Sequence, residues 1–546
     1  MVQLSRRLFL LGSAGAALAA AGCSAPQAPG AERTGTGATA STSLALVTAL
    51  LPETLNPIAG TDNNGMGKIN EGLLTLRAKG AELPDLIPQL AASAPEPSED
   101  AMTWTVAVRS DVTFSDGTPL TAEDVVATYA AIIDPATASP IAGDLSMLAE
   151  VSAPDPETVV FSLKIPYVAF PTKLLVGIAP ASLIVPGQLV SESVLNQEPI
   201  GTGPYVVESF GDGKLVYAAN SRFRDGAPAL TKVTYVMTPD DNTRAQQMTA
   251  GEFDGSVLPP RLAVTFQDSQ DVDVISATSA DWRGISLPSD NPVTADPAVR
   301  MALNLAVDRQ GLVDSVLMGY GRAASTFVPP QYADFYSPDA VFPYDLEQAK
   351  SLLTEAGWVE GDDGIRSKDG VRAAFTIMYN PDDRLRRDLS AAFASEALKA
   401  GFDVTVEGVG WDVLEPRIHT DPVMLGGGDT PYDVDSQLYV MLHSSYPAAG
   451  IYYDNPSEYA SPEMDAALDR GRTSLTTQDR VAAYREVQDL YLADPSMVVL
   501  VFLDHTYVQL KSVTDAWEGT PTVLEPHEHG TAWGPWVNVE KWTPRA

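Results

Sequence analysis

Two stretches of this chain gather side chains that could bind or react. The first spans residues 411–446, where Gly426-Gly427-Gly428 is followed by Asp429, Tyr432, Asp433 and Asp435. Three glycines in a row let backbone come close to a partner. Carboxylates beside them suit an ammonium group, and the rings of Trp411 and Tyr432 can add stacking or cation–π contact. The run reads as one wall of a ligand site or, alternatively, as a surface turn of Gly, Asp and Pro. The second stretch is His527-Glu528-His529, with Glu525 just ahead of it. Two imidazoles and a carboxylate suit a transition metal. Alternate residues of an extended segment converge only if the backbone bends, so a solvated loop beside Trp533-Gly534-Pro535-Trp536 is the simpler reading of His527 and His529.

Other reactive constellations are missing. Cys23 is the only cysteine, which excludes an intramolecular disulfide, a thiolate metal site and a buried catalytic thiol. There is no nucleophile elbow, zincin motif, Walker loop or dinucleotide fingerprint. Gly201 and Gly203 precede a strand at 205–210, but no Lys-Ser/Thr pair follows, so a tight turn is expected there rather than a phosphate cradle. With 71 acidic residues, some pair must reach catalytic spacing by chance, and no glycosidase pair can be assigned. No catalytic residues and no cofactor are expected. A formal charge of −36 argues against nucleic acid or anionic membrane as a direct partner.

These groups need scaffolding, and 546 residues exceed one hydrophobic core, so two or three lobes are expected. In the stretch 103–131, Trp104, Val106 and Val108 alternate as in a half-buried strand. Ser115-Asp116-Gly117-Thr118-Pro119 then supplies a turn, and Thr121 with Asp124 has capping-box spacing ahead of Val125, Val126, Tyr129 and Ile132. Strand 44–47 opens the folded part, and 62–67 is a loop that contributes Asn64 and Met66 as candidate ligand contacts. From Asp296 the pattern turns helical, with Asp296 as cap, Pro297 in the first turn and a stripe of Val299, Leu303, Ala306 and Val307. A further helix opens at Asp345 and closes at Gly357. Strand 375–379, helix 382–400 and strand 404–409 make a β-α-β unit, which predicts an α/β lobe. Thr476 and Asp479 cap another helix, and the apolar run 497–503 fits a central strand.

The N-terminus carries an address. Arg6 and Arg7 precede an apolar run over 8–21 that is too short to span a bilayer. Ser5-Arg6-Arg7-Leu8-Phe9-Leu10 resembles a twin-arginine export signal, and Ala20-Ala21-Gly22-Cys23 resembles a lipobox. Residues 1–22 are therefore expected to be removed as a signal peptide, leaving Cys23 as an acylated N-terminus that anchors the protein to the outer face of the cell membrane. Residues 23–42, rich in Ala, Gly, Pro, Ser and Thr, read as a flexible tether.

The run FSDGTPLTAEDV at 114–125 closely resembles the signature of the extracellular solute-binding family that serves peptide and nickel importers of the ABC class. The likeness continues in Leu55-Asn56-Pro57, Ile69-Asn70-Glu71-Gly72-Leu73, the segment 199–205, Pro297 to Leu303 with Asp308-Arg309, the segment 349–358, Tyr453-Asp454-Asn455-Pro456 and Pro462-Glu463-Met464-Asp465. The resemblance implies a two-lobed periplasmic-binding-protein clamshell with an extra third domain. Lobe one would comprise 43–75, 199–284 and 512–546, the extra domain 76–198, and lobe two 285–511. It also implies that ligand is enclosed by hinge closure and passed to permease subunits driven by cytoplasmic ATPases. Asp429 best matches the aspartate that holds a ligand's α-ammonium in peptide-binding members. Trp411, Tyr432, Asp433, Asn64 and Met66 join it as expected contacts. Peptide capture by a lipid-anchored monomer is the leading expectation. Capture of nickel or a metal chelate by the same fold is second, and an exported hydrolase third.

Overall fold

Two long strands carry the architecture. Val272–Ser286 and Met497–Leu510 pair antiparallel from Val272 opposite Leu510 to Ser286 opposite Met497. The computed structural model describes residues 41–80, 82–428, 432–448, 451, 453–527 and 530–545. Among these residues a nine-stranded sheet forms around that pair. On one side lies Met424–Gly427, and on the other Gly255–Val257, Ser43–Thr48, Lys232–Met237, Lys214–Ala219 and Tyr205–Gly211 follow in order. Ser43–Thr48 runs parallel to both of its neighbours, while the last two strands form an antiparallel hairpin.

The first half of Met497–Leu510 is covered on both faces. Met497, Val499 and Phe502 enter one core cluster, and Val498, Leu500, Val501 and Leu503 enter another. Double-sided burial explains why this segment is apolar at every position rather than at alternate ones. The strand reaches beyond the expected end at residue 503, through Asp504, His505 and Thr506 to Leu510. Those polar residues interrupt the apolar run but keep their place in the ladder because each finds a partner: Asp504 pairs with Arg322, His505 with Asp281 and Glu525, and the Thr506 hydroxyl donates to the Leu258 carbonyl at 2.5 Å.

The extra domain is a four-stranded sheet in the order Glu96–Pro97, Thr103–Ala107, Thr158–Leu163, Leu148–Asp155, packed against the helix Ala122–Ile133. Trp104 and Val106 are buried, as the alternation predicts. Asp124 accepts the Thr121 N–H at 2.8 Å and, with its other oxygen, the Ala181 N–H at 2.8 Å. Asp116 accepts the Thr118 N–H at 2.8 Å. Asp116 and Asp124 of the signature are thus committed to a turn and a cap, respectively. Trp104 and Phe161 share one continuous apolar core with Leu44, Tyr235 and Trp536, so this domain and the first lobe are packed as a single body.

In the second lobe the β-α-β unit forms as expected. Ala374–Tyr379 and Asp403–Gly408 run parallel, joined by the helix Arg384–Lys399 that Asp383 caps. Asp296, Asp345 and Thr476 also cap their helices, each accepting a backbone N–H at 2.8 to 3.1 Å. No helix among the described residues is long and apolar enough to cross a membrane.

Where the long strands pass from one lobe to the other, their register breaks between Thr278 and Trp282. The displaced backbone is held by the C-terminal segment: Glu525 accepts the Ala280 N–H at 3.0 Å and donates to Thr278 at 3.1 Å. This bulge turns Asp281 into a buried cluster of charge. His505 sits between two carboxylates, with Nδ1 at 2.7 Å from Glu525 and Nε2 at 3.0 Å from Asp281. Tyr507 donates to Glu525 at 2.7 Å, the Gly534 N–H donates to it at 2.8 Å, and Arg283 lies against Asp281. Burial disfavours a charged imidazole, but the bonds and charges of Asp281 and Glu525 win and push the His505 pKa up from 6.5 to about 9.

A pKa raised by folding means the stabilisation is complete below pH 6.5 and fades as pH climbs through about 9. Melting experiments across that window should show the wild type losing up to about 3 kcal/mol. A His505→Asn variant, weaker at neutral pH, should show a shallower decline. A wild-type melting temperature that stays level across the window would show that the ring is not held charged.

Candidate functional site

A cleft of about 970 Å³ lies between the lobes, with walls drawn from the first lobe, the extra domain, the second lobe and the C-terminal segment. Its first-lobe wall includes the loop 62–67. Asp62 there has φ 60°, in the left-handed region, and its carboxylate accepts the Asn70 N–H at 3.2 Å. The loop is docked on the extra domain, since Gly65 N–H donates to Leu175 at 3.1 Å and Gly177 N–H donates to Asp62 at 3.0 Å. A Cβ on Gly65 would meet the Leu175 side chain at 2.6 Å. Asn64 and Met66 both line the cleft, and the side-chain Oδ1 of Asn64 accepts the Met66 N–H at 3.1 Å.

The opposite wall contains the three glycines, and their role differs from the expected one. A Cβ on Gly427 would strike the Trp282 ring at 2.5 Å, and one on Gly426 would strike the Arg283 guanidinium at 2.5 Å. The partner that the bare backbone accommodates is therefore the protein's own neighbouring strand. Asp429 lies outside the described residues. Tyr432 is buried and packs into the core of the first lobe, and it does not line the cleft. Asp433 caps the helix Val434–Leu442, accepts the Asp435 N–H at 2.9 Å and pairs with Arg480 at 2.5 Å. Its charge is thereby neutralised away from the cleft. Trp411 opens a short helix outside the cleft, is 38% exposed, and meets the Arg386 guanidinium 6.0 Å from its ring centre.

Among the described acids of this run, the one that reaches the cleft is Asp435. It is 1% exposed and accepts hydrogen bonds from Arg472 at 2.8 Å, from the Tyr484 hydroxyl at 2.8 Å and from the Tyr167 hydroxyl at 2.9 Å. Burial alone would raise its pKa, but Arg472 and the two hydroxyls hold it below the usual carboxylate value. Arg472 is fixed in turn by the Tyr439 ring, whose centre is 3.1 Å from the guanidinium carbon. Tyr167 belongs to the extra domain, so its bond to Asp435 joins the two sides of the cleft. Neither Tyr167 nor Arg472 announces itself in the sequence, because each acts through a partner hundreds of residues away or on another helix.

His527 is placed at the hinge. Its Nδ1 lies 2.7 Å from Asp281 and 3.2 Å from the Arg283 guanidinium, and Arg386 stands 3.5 Å from its Nε2. Two flanking guanidinium groups oppose a metal cation at this ring. His529 lies outside the described residues, among which no group of three or more His, Cys, Asp or Glu is placed to hold a metal ion.

Two variants separate the closing contact from the structural one. Tyr167→Phe removes one bond to a charged acceptor and leaves the ring packed, so the fold should stay intact while X-ray scattering of ligand-free protein shifts toward a more open shape. Asp435→Asn strands a buried guanidinium, and denaturant unfolding should register a loss of about 3–5 kcal/mol. Unchanged scattering for Tyr167→Phe would mean that the bond does not bias closure.

Comparison with known proteins fits this geometry. The model of the bacterial extracellular solute-binding proteins, family 5, matches residues 85–448. Protein XP55 of Streptomyces lividans is 41% identical over 524 residues, covering 96% of this chain and 94% of its own length. The oligopeptide-binding protein AppA of Bacillus subtilis is 27% identical over 456 residues, 81% of this chain and 82% of its own. Among solved structures, NikZ from Campylobacter jejuni in complex with Ni(L-His) superposes with a TM-score of 0.82 at 26% identity, covering 92% of this chain and 99% of that one. With a two-walled cleft, two hinge strands and an extra domain in place, the chain belongs to the bacterial extracellular solute-binding proteins, family 5.

Proposed function

We propose that this protein captures peptides outside the membrane and delivers them to the permease of an ABC importer. The observation that carries the reading is the cleft of about 970 Å³ walled by both lobes and the extra domain at once. A site of that size buries most of a small ligand, and its two sides can approach it from opposite directions. The similarity to the oligopeptide-binding protein AppA supports peptide as the ligand class. Closure is the working step. Ligand favours the closed form only through contacts it makes better there, and moving the balance from 1:99 to 99:1 takes roughly 5.5 kcal/mol of such preference. Peptides offer it through two charged ends and main-chain hydrogen bonds.

In this reading Asp429, at the end of the glycine run, holds the ligand's α-ammonium, with Asn64 and Met66 on the facing wall. Cys23 carries the lipid that keeps a monomeric protein beside its permease, which cytoplasmic ATPases drive. A nickel chelate is the second reading, favoured by the likeness to NikZ, whose structure holds Ni(L-His).

Mass spectrometry of protein purified under native conditions should find bound peptides. Nickel with an organic chelator and no peptide would select the second reading. By calorimetry, Asp429→Asn should weaken peptides with a free amine far more than their N-acetylated forms, and an equal loss for both would remove Asp429 from the role. Cys23→Ser should move the protein from the membrane fraction to the soluble fraction of the producing cells. Continued membrane association of that variant would count against the lipid anchor.

A further inference from the structure

A second cavity, of about 260 Å³, lies in the second lobe and shares no lining residue with the cleft. It forms where the strand Gly321–Ala323, paired with Met497–Leu510, meets the start of the helix Arg309–Ser315. Its mouth is open to solvent, with Ala323 exposed and the apolar bodies of Val341 and Tyr344 about half exposed. Deeper in, the walls include the buried side chains of Val307, Val328, Phe342 and Phe502.

The polar groups on these walls are mostly donors that lack acceptors. Arg309 is buried, and its hydrogen bonds go to neutral oxygens: the Val499 carbonyl at 2.8 Å, and the carbonyl and side-chain oxygens of Asn304, each at 2.7 Å. A guanidinium has five N–H groups, so one on each terminal nitrogen is left over. Other buried arginines of this lobe, Arg300 and Arg480, have Asp494 and Asp433 against them. Among the described residues no carboxylate pairs with Arg309, and burial pulls its pKa down to about 10. Arg322 is held by Asp504 and by the Ser279 carbonyl at 2.8 Å, which leaves its buried Nε–H without a partner among the described residues. The buried hydroxyls of Ser325 and Thr326 accept the N–H groups of Phe342 at 2.9 Å and Val328 at 3.4 Å, and each keeps its own proton to donate. Asp308, the acid among the lining residues, is engaged as a helix cap and accepts the Gly311 N–H at 2.9 Å.

Donors in such excess are costly when buried and gain from an acceptor. A buried cation surrounded by neutral oxygens gains most from an anion. We propose that this cavity is a second binding site, for a small carboxylic acid with an apolar body. The carboxylate would take the spare N–H groups of Arg309 and Arg322, and the body would fill the space between Val328, Phe342 and Phe502. An apolar cavity of about 150 Å³ is large enough for benzene, so this one has room for a ring and a carboxylate. The apolar walls disfavour a strongly hydrated anion such as phosphate. The site is separate from the cleft and does not depend on what the cleft holds.

The test is calorimetry on the mature full-length protein with benzoate, 3-phenylpropionate and 4-methylpentanoate, the three corresponding amides, and inorganic phosphate. Wild type should bind at least one acid about tenfold or more tightly than its amide and than phosphate, the difference expected for one charge-assisted bond. Ala323→Phe, which places a ring at the exposed mouth, should abolish that binding. Arg309→Gln should bring acid and amide level, with melting temperatures confirming that both variants fold. Should Arg309→Gln fail to fold, Arg322→Gln leaves the ties of Arg309 to Val499 and Asn304 in place and should lower the preference severalfold. Acid binding that survives Ala323→Phe and an arginine variant with its preference intact lies elsewhere and overturns the proposal. So does wild type that binds none of the three acids, or that takes amide or phosphate equally well.

Discussion

The two antiparallel strands that cross between the lobes are the constraint on which the rest of this structure depends. Each must serve two cores, apolar on both faces in the second lobe and half-polar where it enters the first. At the crossover the ladder is interrupted, and the interruption is filled by charge rather than by hydrocarbon. Asp281, Arg283, His505, Glu525 and Tyr507 pair with one another there. An apolar plug of equal volume could be as stable, since buried ion pairs gain little net energy over good packing. What the charged version adds is direction. Every bond in the cluster has a donor, an acceptor and an angle, so the strands, the bulge and the C-terminal segment meet in one arrangement.

The magnitudes assign different tasks to the hinge and the cleft. A hydrogen bond to a charged group is worth about 1.5–3 kcal/mol. The Tyr167–Asp435 bond is therefore too weak to lock the lobes shut against a population shift that needs roughly 5.5 kcal/mol. It is strong enough to bias them. A ligand supplies the remainder, and a guest that touches one wall only cannot do so, however tightly it binds.

Local chemistry was legible in the sequence and long-range chemistry was not. The strand, turn and cap around the FSDGTPLTAEDV run, the caps at Asp296, Asp345 and Thr476, and the β-α-β unit all depend on residues a few positions apart. They appear where expected, with the helix after residue 382 starting at Arg384. The long strand Val272–Ser286 has no clear signature because its residues alternate only in part and its bulge breaks the period. The apolar run that marks Met497–Leu510 stops at its polar half, whose partners lie on other strands and in the C-terminal segment. In the site, Asn64 and Met66 fall on the cleft, while Tyr167 and Arg472 have no local signal in the sequence. Asp433 and Asp435 show the limit most sharply. They are two residues apart and chemically identical, yet one caps a helix and pairs with Arg480 while the other anchors the cleft. The preference of aspartate for the residue just before a helix was the available clue, and it favoured the structural role for Asp433.

The shared core of the first lobe and the extra domain has a consequence for how such proteins diversify. Because Trp104 and Phe161 pack into the same apolar mass as Leu44 and Trp536, the extra domain is not a detachable module. Grafting that segment from a relative would expose a cut face unless its interior were recut to match. Variation in guest preference is then cheaper at the cleft surface, one side chain at a time, than by exchange of whole segments.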